Sequence, residues 1–125
     1  MTAKRILAVE NNDLVLSFLE DGLLTAGYDV DTAHNGREAL EMLDRAAYDV
    51  IISDVRMPEL DGPGLREALA TRSPEPATPF IFLTTPDSLD AHRSFLANTD
   101  VPALVKPVAL EELRSTVERV ITSSA

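Results

Sequence analysis

The run Val50-Ile51-Ile52-Ser53-Asp54 constrains this chain most. It is rich in β-branched residues and too short for a buried helix. It breaks off at an acid, followed by the Pro- and Gly-bearing segment Val55-Arg56-Met57-Pro58-Glu59-Leu60-Asp61-Gly62. Such a run reads as a strand buried on both faces, the signature of a parallel sheet. Asp54 then stands where the strand leaves the sheet, and in open parallel α/β sheets ligands bind at the carboxyl ends of the strands. An acid in that place has two readings: it caps a turn or the following helix, or it carries chemistry.

The rest of the chain repeats the pattern. Ile6-Leu7-Ala8-Val9 is a short apolar run closed by Glu10-Asn11-Asn12-Asp13. From an N-cap at Asn12 or Asp13, Val15, Leu19, Leu23 and Ala26 recur at helical spacing until Gly27 stops them. Tyr28 to Ala33 alternates apolar and polar, as a strand near a sheet edge does, and Asn35-Gly36 turns into a helix marked by Ala39, Leu40 and Leu43. Leu65, Ala68 and Leu69 give a third helix beginning near Pro63, and the proline-rich stretch Ser73 to Pro79 reads as a loop. Phe80-Ile81-Phe82-Leu83 is a fourth strand, ending in Thr84-Thr85. A helix over roughly 88–98 follows, with Leu89, His92 and Phe95 or Leu96 inward. Ala103-Leu104-Val105 is the fifth strand, and a last helix from Leu110 presents Leu113, Val117, Val120 and Ile121 on one face. Five strands alternating with five helices imply a three-layer, doubly wound (βα)5 α/β sandwich.

Composition narrows the function. The 125 residues fit one domain spanning 1–125. A net charge of -10 disfavours direct nucleic-acid binding and suits a cation site. With no cysteine there is no disulfide framework, and no stretch of the sequence suggests a signal peptide or a membrane span. The expected setting is cytoplasmic.

The strand ends supply Glu10, Asn11, Asp54, Thr84 and Lys106 to one rim. Side-chain oxygens near Asp54 suit a hard divalent cation; magnesium takes one or two carboxylates and keeps waters or phosphate oxygens. A lysine opposite the carboxylate and a hydroxyl beside it add donors for phosphoryl oxygens. The set suits a carboxylate nucleophile that accepts a phosphoryl group in line.

Glu10-Asn11, Asp54 with Met57-Pro58 and Asp61-Gly62, Thr84, and Lys106-Pro107 stand in the order and at the spacing of the receiver domain of bacterial two-component response regulators. The chain resembles that family over essentially its whole length. The resemblance implies a flavodoxin-like sheet in the order 2-1-3-4-5, with Asp54 as phosphoacceptor, Thr84 as switch hydroxyl, Lys106 as the phosphate-pairing cation and a cis bond before Pro107. It implies Mg²⁺ held by Glu10, Asn11, Asp54 and the backbone carbonyl of Arg56. It also implies a histidine kinase or phosphotransfer protein as donor, a downstream protein target, and a possible homodimer through the fourth and fifth elements. No contact with nucleic acid or membrane is expected, and no enzymatic activity beyond self-phosphotransfer and autodephosphorylation.

Three positions depart from the family pattern. Asn11 stands where a second acid usually coordinates the metal, so Mg²⁺ affinity is expected to fall. Ala103 replaces the aromatic that usually moves with the switch hydroxyl. Thr85 is larger than the Ala or Gly common after the switch Thr and narrows access to Asp54, beside which it joins the phosphoryl-binding set. Arg56 reaches over the site or is solvated. These departures leave an alternative open, a pseudo-receiver that binds partners without phosphorylation. His34 and His92 have no metal-ligand spacing, and Glu111-Glu112 suit the first turn of the last helix.

Overall fold

The computed structural model describes residues 3–57, 59–72 and 78–124. Most of the loop expected over 73–79, together with Pro58, lies outside these residues.

Among the described residues, the strands β1 (Arg5–Val9), β2 (Asp29–Ala33), β3 (Val50–Asp54), β4 (Phe80–Thr84) and β5 (Ala103–Val105) form one parallel sheet in the order β2-β1-β3-β4-β5. This is the flavodoxin-like order, with β1 and β3 adjacent where the direction of winding reverses. The helices are α1 (Asp13–Thr25), α2 (Gly36–Leu43), α3 (Gly62–Arg72), α4 (Pro86–Ala91), α5 (Arg93–Ala97) and α6 (Leu110–Ser124).

Successive strand residues face opposite sides, so each central strand builds two cores. Ile6 and Ala8 of β1, Val50 and Ile52 of β3, and Ile81 and Leu83 of β4 pack against Leu16, Leu19 and Leu23 of α1 and Leu113 and Val117 of α6. The alternate residues Leu7, Val9, Ile51, Phe80 and Phe82 pack against Ala39 of α2 and Leu65 of α3. Every residue of β3 and β4 is buried, as their unbroken apolar runs require, whereas the alternating β2 lies at an edge. Complete burial of one Leu or Ile side chain contributes about 1.5–3 kcal/mol, so these two layers hold the rim in place.

The helix ends follow local chemistry. Asn12 caps α1, its side-chain oxygen accepting from Leu14 N at 2.9 Å and Val15 N at 3.1 Å. Past the end of α1, Gly27 takes φ 98°, a left-handed conformation that costs glycine little. Asn35 caps α2 by accepting from Glu38 N at 2.8 Å.

The helix expected over 88–98 is instead two short helices. Thr85 is the N-cap and Pro86 the first residue of α4, so helix begins earlier than Ser88. It breaks at His92, which sits at φ -112°, ψ 19°, outside helical geometry. The His92 ring contacts Ser88 O at 3.0 Å, the carbonyl its own N–H also uses at 2.9 Å. α5 restarts without a side-chain cap and is held by Phe95, whose ring lies 5.7 Å from that of Phe82.

Candidate phosphoryl-acceptor site

Strand register assembles the rim. Val9 is level with Ser53, Asp54 with Leu83 and Thr84 with Val105, so Glu10, Asp54, Thr84 and Lys106 leave the sheet side by side. Backbone bonds fix the exits: Glu10 N donates to Ala33 O at 3.0 Å, Val55 N to Leu83 O at 2.9 Å and Lys106 N to Thr84 O at 2.7 Å. The Lys106–Pro107 peptide bond is cis.

Three charged side chains converge there. Lys106 Nζ lies 2.7 Å from Asp54 Oδ1 and donates to Glu10 Oε2 at 2.9 Å and Oε1 at 3.1 Å. Glu10 is 1% exposed and Asp54 5%. Asp54 Oδ1 is buried, and the Lys106 ammonium is its close polar neighbour among the described residues. Burial is the main force on Asp54 and, with the Glu10 carboxyl beside it, pushes its pKa up to about 8 against the opposing pull of Lys106. Burial by itself lowers Lys106, but Asp54 and Glu10 outweigh it and hold the ammonium above its ordinary value.

Asp54 opens onto a pocket of about 140 Å³ lined by Arg56, Thr84, Thr85, Ser88 and Lys106. Thr84 is buried, and its hydroxyl donates to Thr85 O at 3.2 Å. Thr85 is exposed, with its Oγ1 accepting from Ser88 N at 3.1 Å as the cap of α4. Arg56 is exposed at the pocket mouth. A larger groove of about 570 Å³ beside Leu69, Phe80 and Phe95 sits at the amino end of β4, away from this chemistry.

The remaining candidates occupy the margin. Asn11 and Ala103 are both exposed, Asn11 just beyond Glu10 and Ala103 at the start of the edge strand β5, level with Phe82. Asp61 Oδ1 accepts from Gly64 N at 2.8 Å at the start of α3. At Gly62 a Cβ would lie 2.3 Å from Asp54 O, so only glycine lets α3 begin this close to the end of β3. His34 stands 3.4 Å from both Asp13 and Glu38 on the surface.

The donor set has the character a hard cation requires. Two carboxylates share one rim, one buried carboxylate oxygen is met only by the Lys106 ammonium, and burial, with the Glu10 carboxyl beside it, leaves Asp54 reluctant to ionise, a condition a dication relieves. The described residues contain no convergent group of three His, Cys, Asp or Glu side chains, so a cation held at this rim would need oxygens of another kind as well. Asn11 lies two residues past the end of β1 and Arg56 two past the end of the adjacent β3.

Two features were not read from the sequence. Glu10 and Lys106 are 96 positions apart, and their pairing has no local signal. Ser88 in the pocket wall did have one: Thr85-Pro86 is a helix-start pair that places Ser88 in the first turn of α4.

Known proteins resemble this chain in sequence and in fold. The family described as response regulator receiver domain matches residues 6–118. Response regulator MprA of Mycobacterium leprae is 38% identical over 117 residues, 94% of this chain and 50% of the relative. Transcriptional regulatory protein TrcR of Mycobacterium tuberculosis is 32% identical over 109 residues, 87% of this chain and 42% of the relative. The chain thus spans about half or less of the length of these curated relatives. Among solved structures, chemotaxis response regulator CheY4 of Vibrio cholerae superposes with a TM-score of 0.84 at 38% identity, covering 95% of this chain and 99% of that one.

Proposed function

Because the chain belongs to the response regulator receiver domain family, we propose that Asp54 accepts a phosphoryl group from a histidine kinase or phosphotransfer protein, and that the modified rim changes partner binding. The observation that carries this reading is the buried Asp54 carboxylate, 2.7 Å from Lys106 Nζ and open to a pocket shared with Thr84.

In the transfer, an Asp54 oxygen forms a bond to phosphorus as the phosphorus–nitrogen bond of the donor phosphohistidine breaks, and the electron pair stays on the imidazole. Lys106 pairs with a phosphoryl oxygen and thereby compensates the charge brought into the rim. The Thr84 hydroxyl exchanges its acceptor, the Thr85 carbonyl, for a phosphoryl oxygen. Glu10, Asn11, Asp54 and the Arg56 carbonyl would hold Mg²⁺, which when bound neutralises charge on the phosphoryl oxygens. Exposed Leu14 and Phe18 of α1, with Pro107 and Val108 beside Lys106, form an apolar surface on which a donor protein docks next to Asp54.

Incubation with Mg²⁺ and acetyl phosphate, followed by intact mass measurement, tests the reading. One added phosphoryl group that Asp54→Asn abolishes is expected; an unchanged mass refutes it. The engagement of both Glu10 oxygens by Lys106, together with the amide at Asn11, favours a second reading, a phosphorylation-independent interaction module. That reading requires partner binding to be the same in wild type and Asp54→Asn.

A further inference from the structure

Ser88 is 6% exposed and lines the pocket onto which Asp54 opens. Its backbone is fully employed, the N–H donating to Thr85 Oγ1 and the carbonyl accepting from His92. Its hydroxyl has no hydrogen-bond partner among the described residues. Among the described residues only Asp54 Oδ1 is an enclosed side-chain atom without a hydrogen-bond partner, so the Ser88 hydroxyl, unpaired by protein, is open to the pocket and takes its partner from what the pocket holds.

The other lining side chains show what that is. Arg56 and Lys106 only donate. Thr85 Oγ1 is held in the cap of α4 by the bond it accepts from Ser88 N, and the Thr84 hydroxyl is oriented by the bond it donates to Thr85 O. Of the three lining hydroxyls, Ser88 Oγ is the one that no hydrogen bond among the described residues holds in place, so it is free to orient a water. The pocket, about 140 Å³, far exceeds the roughly 10–15 Å³ that one ordered water needs.

We propose that Ser88 positions the water that hydrolyses phosphorylated Asp54 and so sets the lifetime of the modified state; this rests on Asp54 being the phosphoacceptor. Ser88 Oγ accepts a hydrogen bond from the water and donates its own proton to a phosphoryl oxygen, aiming the water oxygen at phosphorus. The water oxygen–phosphorus bond forms, the bond from phosphorus to the Asp54 oxygen breaks with its electron pair returning to the carboxylate, and the water protons leave on inorganic phosphate. A serine hydroxyl is too weakly basic to take the proton itself, so Ser88 acts by orientation.

The test loads wild type, Ser88→Ala and Ser88→Thr with acetyl phosphate and Mg²⁺, removes the donor, and follows loss of the phosphoryl mass. Loss of one hydrogen bond predicts roughly 3- to 10-fold slower hydrolysis of the loaded Ser88→Ala protein, and Ser88→Thr restores hydrolysis to within about twofold of wild type. Hydrolysis of Ser88→Ala at or above the wild-type rate overturns the proposal, as does equal slowing in Ser88→Thr, which would mark a packing role. Failure of wild type to load refutes instead the assignment of Asp54, and the proposal with it.

Discussion

Replacing Lys106 with Met keeps most of the apolar stem and removes the one charge shared by Asp54 and Glu10, whose oxygens lie 2.7–3.1 Å from Nζ. Removing one partner from a buried ion pair costs about 3–5 kcal/mol, and the Lys106 side chain is only 19% exposed. The folded protein limits that cost by keeping protons. Asp54, already pushed up to about 8, rises further once the opposing pull of Lys106 is gone. For an acid whose folded pKa lies above its unfolded value, stability is fully present below the unfolded value and falls as pH climbs through the folded one. Wild type keeps the Asp54 proton up to pH ~8 as well, so the two proteins diverge further only above that, by about 1.4 kcal/mol per pH unit. Lys106→Met therefore destabilises by about 3–5 kcal/mol near pH 6 and by about 2 kcal/mol more near pH 9.5. With roughly 3–5 °C per kcal/mol for a chain of this size, Tm falls by about 10–20 °C at the lower pH and about 5–10 °C further at the higher. Thermal unfolding followed by circular dichroism in EDTA, where no divalent cation replaces the ammonium, measures both. An equal fall in Tm at the two pH values would show that the stem, not the charge, holds the rim.

Asn11→Asp adds a unit charge at the exit of β1, and a Mg²⁺ titration by calorimetry is expected to show at least roughly tenfold tighter binding. Gly62→Ala forces a methyl to 2.3 Å from Asp54 O and is expected to cost about 1–3 kcal/mol in urea unfolding while slowing phosphoryl uptake, because the carbonyl belongs to the acceptor residue. Tyr48 donates to Asp31 Oδ2 at 2.6 Å, and burial, then this bond and the Asp31 charge, push its phenol up to about 12. Its stabilising contribution is fully present below pH ~10 and is lost as pH rises through about 12. In an ultraviolet titration, Asp31→Asn is expected to bring this late-ionising phenol down. Leu14→Asp with Phe18→Asp is expected to slow transfer from a histidine-phosphorylated donor protein and leave loading by acetyl phosphate unchanged.

The strands were legible because burial on two faces writes itself as unbroken apolar runs, and Val50–Asp54 and Phe80–Thr84 are buried throughout. The polar residue ending each run was legible for the same reason, since it marks where the sheet stops. The order of the strands was not in any periodicity; it came from the family resemblance, and the register agrees with it. The break at His92 escaped the reading because apolar spacing from Leu89 through Phe95 suits one continuous helix, while the competition for the Ser88 carbonyl four residues back involves a polar ring that apolar spacing does not record. The Glu10–Lys106 pair escaped it because charge complementarity across 96 positions leaves no trace in a local window.

The interruption at His92 has a thermodynamic consequence for the pocket. Helices of six and five residues are far below the length that sustains itself in water, so this stretch owes its order to contacts such as Phe95 on Phe82. It is therefore the part of the wall that opens locally at the lowest free energy, ahead of the sheet that carries Asp54. Thr85 and Ser88 sit on it. A group that engages Thr84 and Ser88 together binds only the closed form of this segment and stabilises it by mass action. Amide exchange across residues 86–97 then reports occupancy of the rim: the message leaves the site as a change in how often one weakly held segment is folded.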